Sequence, residues 1–475
     1  MRLSDNIKWT ALAQLSKLCA QFVVVFALAR LLPPAEYGVV AIVTIVVNFS
    51  LMFRDVGVGA AVIQKQDLLS SDMDAAFRIA LSIGLFVAGA VALASPAISV
   101  FFSLPELIGL LVAVGLSFPI AASSTVHQAL LERSGRFRTI ARIELSSNLV
   151  GAAVGAGSAF LGLGAWSLVA QVIAISALSS LQLWHASGWR PSLKPVAGYR
   201  SLVSFGSGIL GFNLVNYASR NADSVLVGKF YSSAVLGNYS LAYRIMLFPL
   251  QSITLVTARS LLPVLSRLDN RPDERLRVYL TALAGVTFIV APMMAGLFAL
   301  RSDFISLSFG SDWKLTSQLL AWFAPTAVLQ GAMSTTGVVF MATRQTSRLM
   351  WLGVLGAVLQ VTAFGVGISY GVLTMAKLYL VANVINCIPV AIACMHVLGG
   401  RALDMLDAVL PVVIAAAAMA GVLLVVGRVS GHCNGIGELV LRAGFGSVIY
   451  LIFVLVCSRK WRARFGTLAG KINGQ

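Results

Sequence analysis

The sequence predicts an all-α polytopic membrane protein with about fourteen transmembrane helices, arranged as two six-helix lobes around a central cavity plus two C-terminal helices. Composition, the number of apolar stretches and an internal repeat support this prediction. Of the 475 residues, 58% are hydrophobic and 11% are charged, and the mean hydropathy is +0.88. A soluble domain carries about a quarter charged residues. The composition therefore excludes an array of soluble domains.

The predicted spans are apolar stretches of roughly 17 to 27 residues, the length that crosses a hydrocarbon core. Only glycine-rich breaks, at Gly162 and Gly164 and at Gly367 and Gly371, separate spans 5 from 6 and 11 from 12. Thirteen is therefore the alternative count. The spans begin near residues 10, 37, 79, 104, 143, 165, 202, 236, 278, 319, 349, 371, 405 and 437.

Basic residues are unevenly divided between the two sides of these spans. The net charge is +17, from 35 Lys and Arg against 18 Asp and Glu. Both termini and the even-numbered connections hold 25 basic residues, whereas the odd-numbered connections hold 5. Because Lys and Arg are retained on the cytoplasmic side, both termini are predicted to be cytoplasmic. The charge thus indicates orientation toward anionic lipid and gives no support to nucleic-acid binding. Five basic residues lie within apolar segments: Lys17, Arg220, Arg244, Lys377 and Arg442.

A shift of 199 residues aligns the nine residues from Arg30 to Gly38 with those from Lys229 to Gly237. Each copy has a basic residue, two bulky residues, a turn, an alanine and a glycine, and an apolar span follows. Six spans per copy describe a parallel duplication, which places a substrate path between the halves. The predicted regions are residues 1–200 and 201–398, one lobe each, and 399–475, with two further helices and a basic cytoplasmic tail.

Each copy of the repeat also begins with a helix that carries polar residues at spacings of three and four. Such spacings place side chains on one helical face. Under the 199-residue shift the two sets superpose, which predicts that both line the path. The sets are Gln14, Lys17 and Gln21 in span 1 and Asn213, Asn216 and Arg220, followed by Asp223, in span 7.

Several short motifs over spans 1 to 10 resemble the polysaccharide exporters of the Wzx/WzxC type, which are flippases for lipid-linked oligosaccharides. Their superfamily also contains the multidrug and toxic-compound extruders. The last four spans resemble this family only in hydropathy. The matching stretches are 29–38, 53–64, 131–138, 205–206, 221–229, 236–239, 263–267 and 309–313.

The resemblance implies a V-shaped bundle of two lobes around a central cavity. It also implies a cargo of undecaprenyl-pyrophosphate-linked oligosaccharide, made on the cytoplasmic face of a bacterial inner membrane and used for exopolysaccharide, capsule or O-antigen. A polysaccharide polymerase and a chain-length regulator would be partners. Two alternatives stay open: a multidrug extruder of the same superfamily, and a membrane enzyme that modifies polysaccharide.

Basic residues inside membrane helices predict the substrate contacts. A buried cation costs from about 2.5 kcal/mol upward, so it usually faces an anion or a water-filled cavity. Lys17, Arg220 and Arg244 are therefore predicted to meet a pyrophosphate, because Arg offers a planar donor fork and Lys a mobile charge. The alternative for Arg220 is an ion pair with Asp223 on its own helix.

Three acids near the spans are candidates for gating or ion coupling: Asp55, Glu144 and Asp223. For Asp55, an ion pair with Arg54 is the alternative. The segment from Glu132 to Arg142 is either an amphipathic piece on the inner leaflet or a solvated loop. The spacing of the five cysteines fits no metal site, and no nucleophile–base pair or phosphate-binding loop is visible. We therefore expect no cofactor and no enzymatic activity.

Overall fold

The structure is a computed structural model that describes residues 26–54, 58–192, 207–269 and 271–457. Within these ranges every regular element is helical, and Ser311–Trp313 is the single 3-10 helix. This confirms the predicted all-α class. The chain separates into two compact units, Met1–Gly237 and Asn238–Gln475.

The first unit contains nine α-helices among its described residues. Residues 26–31 are also helical. The nine are α1 (Pro34–Arg54), α2 (Val58–Gln64), α3 (Ser70–Phe102), α4 (Leu107–Gly115), α5 (Ser117–Ala122), α6 (Thr125–Arg133), α7 (Phe137–Phe160), α8 (Trp166–Ser187) and α9 (Ser207–Phe230).

The boundary between the units falls within α10 (Ser233–Arg267). The described helices after it are α11 (Pro272–Ser308), α12 (Lys314–Met333), α13 (Thr336–Ala342), α14 (Thr346–Ile368), α15 (Val372–Leu398), α16 (Ala402–Ser430) and α17 (Ile436–Cys457).

Eight described helices or helix runs are long and apolar enough to cross a membrane. The chain is therefore a multi-pass membrane protein. From residue 37 onward, a described helix covers most of the predicted starts or begins next to them. The total of fourteen spans stays a prediction, because eight of the described helices or helix runs meet this criterion and span 1 lies mostly outside the described residues. The eight are Ser70–Phe102, Leu107–Arg133, Trp166–Ser187, Pro272–Ser308, Thr346–Tyr370, Val372–Leu398, Ala402–Ser430 and Ile436–Val456.

The two aligned nine-residue segments have the same backbone conformation. One helix ends at Leu31 and the next begins at Pro34, while α9 ends at Phe230 and α10 begins at Ser233. All four boundaries correspond under the shift of 199. The backbone hydrogen bonds correspond as well: Leu32 N to Leu28 O matches Tyr231 N to Val227 O, and Tyr37 N to Pro33 O matches Leu236 N to Ser232 O. The repeat is therefore a repeat of structure in these segments.

A second pair of turns is alike, one in each unit. The turn between α6 and α7 passes through Gly135 with φ of 69°, and the turn between α13 and α14 passes through Arg344 with φ of 59°. In both, an amide closes a wide turn: Arg136 N bonds Leu131 O, and Gln345 N bonds Phe340 O. The left-handed position suits glycine and costs a residue with a Cβ. The second turn therefore carries backbone strain that the first lacks.

Helix α9, predicted as the first helix of the second lobe, packs on α1 within the first unit. The Tyr217 hydroxyl donates to the Ile45 carbonyl at 2.8 Å. The Tyr217 ring also lies 6.0 Å from that of Phe49. The division at residues 200 and 398 into two lobes and a C-terminal pair stays a prediction.

Candidate substrate path

Two polar stripes are predicted, one on span 1 and one on span 7. The structure describes only the helix of the second stripe, which is α9. Its helical backbone from Ser207 to Phe230 places positions 213, 216, 220 and 223 along one side. The side chains of Asn213 and Asn216 lie outside what the structure describes. So do Gln14, Lys17 and Gln21 of the other stripe, and the candidate gate Asp55.

Arg220 and Asp223 occupy different environments although they are three residues apart. The Arg220 side chain is exposed, whereas Asp223 is 1% exposed. Among the residues that the structure describes, none forms a hydrogen bond or ion pair with Arg220. Among the described residues, the alternative ion pair between Arg220 and Asp223 is not formed.

Contacts on both sides of Arg220 anchor α9 to neighbouring helices. Besides the Tyr217 bond to α1, the Asn221 amide donates to the Tyr217 carbonyl at 2.9 Å. At the end of the helix the Lys229 ammonium donates to the Phe101 carbonyl at 2.7 Å and lies 4.7 Å from the Phe101 ring. Lys229 therefore satisfies a carbonyl in the last turn of α3.

The other two described candidates lie on different helices. Arg244 is half-buried on α10, next to Tyr243, whose ring is 5.8 Å from that of Phe323. Glu144 is half-buried on α7, where its main-chain carbonyl accepts from the Asn148 amide at 2.7 Å. Arg220, Arg244 and Glu144 therefore lie on three different helices. Their roles in binding and coupling stay predictions.

The remaining described basic residues of the apolar segments have partners on the protein. The Lys377 ammonium lies 5.2 Å from the Trp322 ring, a cation–π contact. Arg442 has a side chain that is 7% exposed, pairs with Glu438 and lies 3.8 Å from Asp303. Its guanidinium also donates to the Gly431 carbonyl at 2.9 Å. Arg442 is therefore neutralised within its own unit and is not a candidate for the substrate.

Two arginines of the 131–138 motif bond to the ends of other helices. Arg133 donates to carbonyls at and just beyond the end of α2, including Val62 at 2.9 Å and Gln66 at 2.7 Å. Arg136 donates to the Ala186 carbonyl in the last turn of α8 at 2.8 Å. The segment from Glu132 to Arg142 is thus a helix–turn–helix connection, and not a separate surface helix or an open loop.

Gly38 and Gly237, the last residues of the two repeat segments, make a reciprocal contact within the first unit. A Cβ on Gly38 would lie 1.9 Å from the Ser233 carbonyl oxygen, and one on Gly237 would lie 1.9 Å from the Pro34 carbonyl oxygen. Pro34 and Ser233 are themselves equivalent under the repeat. The turns therefore meet backbone to backbone, which only glycine permits.

Sequence reasoning did not identify Tyr217 or Asp303. Tyr217 follows Asn216 on the predicted stripe, which was the available signal. Asp303 accepts from His432 Nδ1 at 2.7 Å and from the Cys433 amide at 3.3 Å. No local pattern indicates that contact, because its partners are far along the chain. Among the described residues, no group of three or more His, Cys, Asp or Glu could hold a metal ion.

Solved structures of membrane transporters share this fold. The lipid II flippase MurJ in an inward closed conformation superposes with a TM-score of 0.74 at 15% identity, over 95% of this chain and 99% of MurJ. A mutant of the Vibrio cholerae MATE transporter VcmN has a TM-score of 0.54 at 14% identity, over 85% of this chain and 97% of VcmN. The fold is therefore the one that MurJ and the MATE transporters share.

The chain belongs to the polysaccharide biosynthesis protein family, whose pattern matches residues 27–318. It is 27% identical to the succinoglycan biosynthesis transport protein ExoT of Rhizobium meliloti (strain 1021), over 98% of this chain and 95% of ExoT. It is 23% identical to the lipopolysaccharide biosynthesis protein WzxC of Escherichia coli (strain K12), over 71% of this chain and 69% of WzxC. The predicted resemblance to Wzx-type exporters is confirmed.

Proposed function

We propose that the protein is a flippase that moves undecaprenyl-pyrophosphate-linked oligosaccharide repeat units across the inner membrane by alternating access. The observation that carries this proposal is the family match over residues 27–318. The names of ExoT and WzxC, which refer to polysaccharide transport and lipopolysaccharide biosynthesis, support it. The product would be an exopolysaccharide, a capsule or an O-antigen.

The chemistry of the candidate residues suits a pyrophosphate head group. Arg220 exposes a planar set of donors that matches phosphate oxygens. The amides of Asn213, Asn216, Gln14 and Gln21 would bond sugar hydroxyls, and Lys17 and Arg244 would add positive charge. Neutral amide contacts give moderate affinity for the sugar. A transporter needs moderate affinity because it must release its cargo. Asp55, Glu144 and Asp223 are proposed for gating or ion coupling.

The charge distribution supports an orientation with both termini in the cytoplasm. Alkaline phosphatase fused after Ser103, Leu163 or Ser308 should be active, because these points would lie in the periplasm. Fusions after Ser134, Arg190 and Arg271 should be inactive. The reverse result at any two sites would refute the orientation. A polysaccharide polymerase and a chain-length regulator are the proposed partners.

The alternative is a multidrug extruder, since MATE transporters share the fold. Its cationic substrates would require acids in the path, whereas Arg220 exposes a positive charge. A membrane enzyme is the weaker alternative, because the protein belongs to a family that its relatives' names connect with transport.

Reconstitution tests the proposal directly. Purified protein in liposomes should carry a fluorescent undecaprenyl-pyrophosphate-linked oligosaccharide from one leaflet to the other, measured by the fraction that a membrane-impermeant reagent reaches. Protein-free liposomes give the background rate. Transport of an organic cation by the same vesicles, with no movement of the lipid-linked saccharide, would identify an extruder instead.

A further inference from the structure

The turn before α14 and the first turn of α14 carry two exposed arginines at the end of a membrane span. We propose that Arg344 and Arg348 bind the phosphate of an anionic glycerophospholipid, whose upper acyl chain packs on Trp351. Both arginines are exposed, and Trp351 is 67% exposed. The ligand is a component of the bilayer and not the cargo proposed above.

Helix α14 begins the least buried of the eight described membrane spans, Thr346–Tyr370. Only 11% of its most apolar stretch is buried within the protein. Its 25 residues rise about 37 Å, which is enough to cross a hydrocarbon core of about 30 Å. The outer face of this span therefore contacts acyl chains.

Arg348 and Trp351 lie at one end of that outer face. The exposed residues Arg348, Trp351, Leu355 and Val358 follow one another at spacings of three and four, which places them on one side of the helix. Trp351 lies about 4.5 Å further along the span than Arg348. Tryptophan is enriched at the level of the lipid head groups, and an arginine beside it keeps its charge in the polar layer. Arg348 is thus at the level of the lipid phosphates.

The helices packed against α14 carry no acid that could neutralise the two arginines. Between Asp312 and Asp404 the sequence has no Asp or Glu, so α13 and α15, on which α14 packs, lack acids. Among the described residues, neither guanidinium has a hydrogen-bond or ion-pair partner. The Asp404 carboxylate accepts from the Arg401 amide at 2.7 Å. Basic residues at a membrane surface attract anionic lipid, which supplies the counter-charge.

Arg344 has a backbone conformation that is unfavourable for arginine. Its φ is 59°, which a residue with a Cβ adopts only at an energetic cost. In the equivalent turn of the first unit this position is Gly135, and Thr139 stands in place of Arg348. The turn therefore forms without either arginine. An unfavourable residue that the turn does not require indicates a role for its side chain.

One phosphate can meet both guanidinium groups. Four residues of chain span at most about 14 Å, and the Gln345 amide closes the turn on the Phe340 carbonyl at 2.8 Å. Each arginine offers a planar set of donors that matches phosphate oxygens. With the predicted orientation, the phosphate would belong to a lipid of the cytoplasmic leaflet.

The first experiment measures lipid binding to the full-length protein. Nanodiscs contain phosphatidylcholine with increasing phosphatidylglycerol, and native mass spectrometry counts the phosphatidylglycerol retained after release. The double variant Arg344→Gln/Arg348→Gln should bind phosphatidylglycerol about thirtyfold more weakly, which corresponds to about 1 kcal/mol for each basic residue. The single variant Arg348→Gln, outside the strained turn, should lose about fivefold.

The matched control removes the same charge from the connection between α10 and α11, on the same predicted side of the membrane. Arg271 and Arg277 are also exposed, but Arg271 pairs with Glu274 at 3.3 Å, and Arg277 follows Glu274 by three residues. Arg271→Gln/Arg277→Gln should therefore bind phosphatidylglycerol as the unaltered protein does.

The second experiment places the lipid at Trp351. Bromine atoms on an acyl chain quench the fluorescence of a nearby tryptophan, and the difference between the unaltered protein and Trp351→Phe isolates the Trp351 signal. Brominated phosphatidylglycerol should quench this signal more than brominated phosphatidylcholine does at the same mole fraction. The preference should disappear in Arg344→Gln/Arg348→Gln.

Equal loss of binding in both double variants would show an effect of net charge and would overturn the proposal. Unchanged binding by Arg344→Gln/Arg348→Gln would overturn it too, as would equal quenching of Trp351 by the two brominated lipids. Displacement of the lipid by millimolar glycerol 3-phosphate would show a site for free phosphate, and would overturn the assignment to a lipid. Circular dichroism and gel filtration verify that the variants, all at exposed positions, are folded.

Discussion

Arg220 and Arg442 give the same signal in the sequence, an arginine inside an apolar segment, yet the structure separates them. Arg442 is buried, pairs with Glu438 and lies close to Asp303. Arg220 is exposed, and no described residue pairs with it. The difference teaches that an arginine in a membrane helix indicates function only where the protein itself does not neutralise it.

Loss of the Arg220 charge should have the largest effect on activity. Arg220→Ala should lower the flipping rate on the order of a hundredfold, because a charge-assisted contact to phosphate is worth about 2 to 5 kcal/mol. The thermal unfolding midpoint should not change, since no described partner depends on this side chain. Flipping in proteoliposomes and unfolding by intrinsic fluorescence measure the two quantities.

Arg220→Lys separates charge from geometry. It should retain part of the activity, because the positive charge remains while the planar donor fork is lost. Normal flipping by Arg220→Ala would show that the residue does not contact the substrate, and the comparison with Arg442 would fail.

The second largest effect is expected in the rate of thiol labelling, between Cys433 and a cysteine at position 220. Burial, together with the Asp303 carboxylate, raises the pKa of the Cys433 thiol to about 11. The thiolate is the reactive form, so Cys433 should label about a hundredfold more slowly at pH 8 than a cysteine at position 220. Its rate should rise about tenfold per pH unit up to about pH 11. Rapid labelling of Cys433 at pH 8 would contradict the burial of this thiol beside the Asp303 carboxylate.

The same method examines the predicted stripes. In a cysteine-free background, single cysteines at 14, 17, 21, 213, 216 and 220 should react with a small water-soluble reagent if both stripes line one aqueous path. Cysteines replacing Val24, Phe212 and Leu214 should not react. Equal labelling of the two sets would place the path elsewhere.

A smaller effect is expected on stability at Arg442. Arg442→Ala should lower the unfolding midpoint by roughly 5 °C, because removing one partner of a buried ion pair leaves the other charges uncompensated. The flipping rate per folded molecule should stay near that of the unaltered protein. Arg428→Ala, an exposed arginine of the preceding helix, is the control. Equal midpoints in the two variants would contradict the structural role of Arg442.

The smallest effect is expected on stability at Arg344, whose backbone is in the left-handed conformation. Arg344 occupies a left-handed position with φ of 59°, so Arg344→Gly should stabilise the protein by about 1 kcal/mol. Gly135→Ala, at the equivalent turn of the first unit, should destabilise it by a similar amount. Chemical denaturation measures both, and changes of the same sign would contradict the equivalence of the turns.

Hydropathy was sufficient to predict the helical class and the position of most long described helices, because each membrane helix must satisfy its own backbone. It did not predict that span 4 is divided into α4, α5 and α6. The breaks lie at Leu116 and at Ser123 and Ser124, whose hydroxyls bond carbonyls of the preceding turn. Hydrogen bonds from a serine hydroxyl to the backbone do not change a hydropathy average over about twenty residues.

The candidate site was predictable only as a set of residue types on a helical face. Spacing places Arg220 beside Asn216 and Asn213, but it does not determine whether Asp223 neutralises Arg220. For Arg442 the local partner Glu438 is visible at a spacing of four, whereas Asp303 comes from another helix. Tertiary contacts therefore decide which cations remain available.

The reciprocal contact of Gly38 and Gly237 has a consequence for the history of the chain. A contact in which the same residue of two copies meets across a two-fold relation is the kind that a symmetric homodimer makes. In a half-length ancestor, one mutation at this glycine would have altered both sides of the contact at once. After fusion the two positions mutate separately, yet each is still constrained by the carbonyl group of the other copy. The two copies of the segment can therefore diverge at other positions, whereas both of these glycines must be kept.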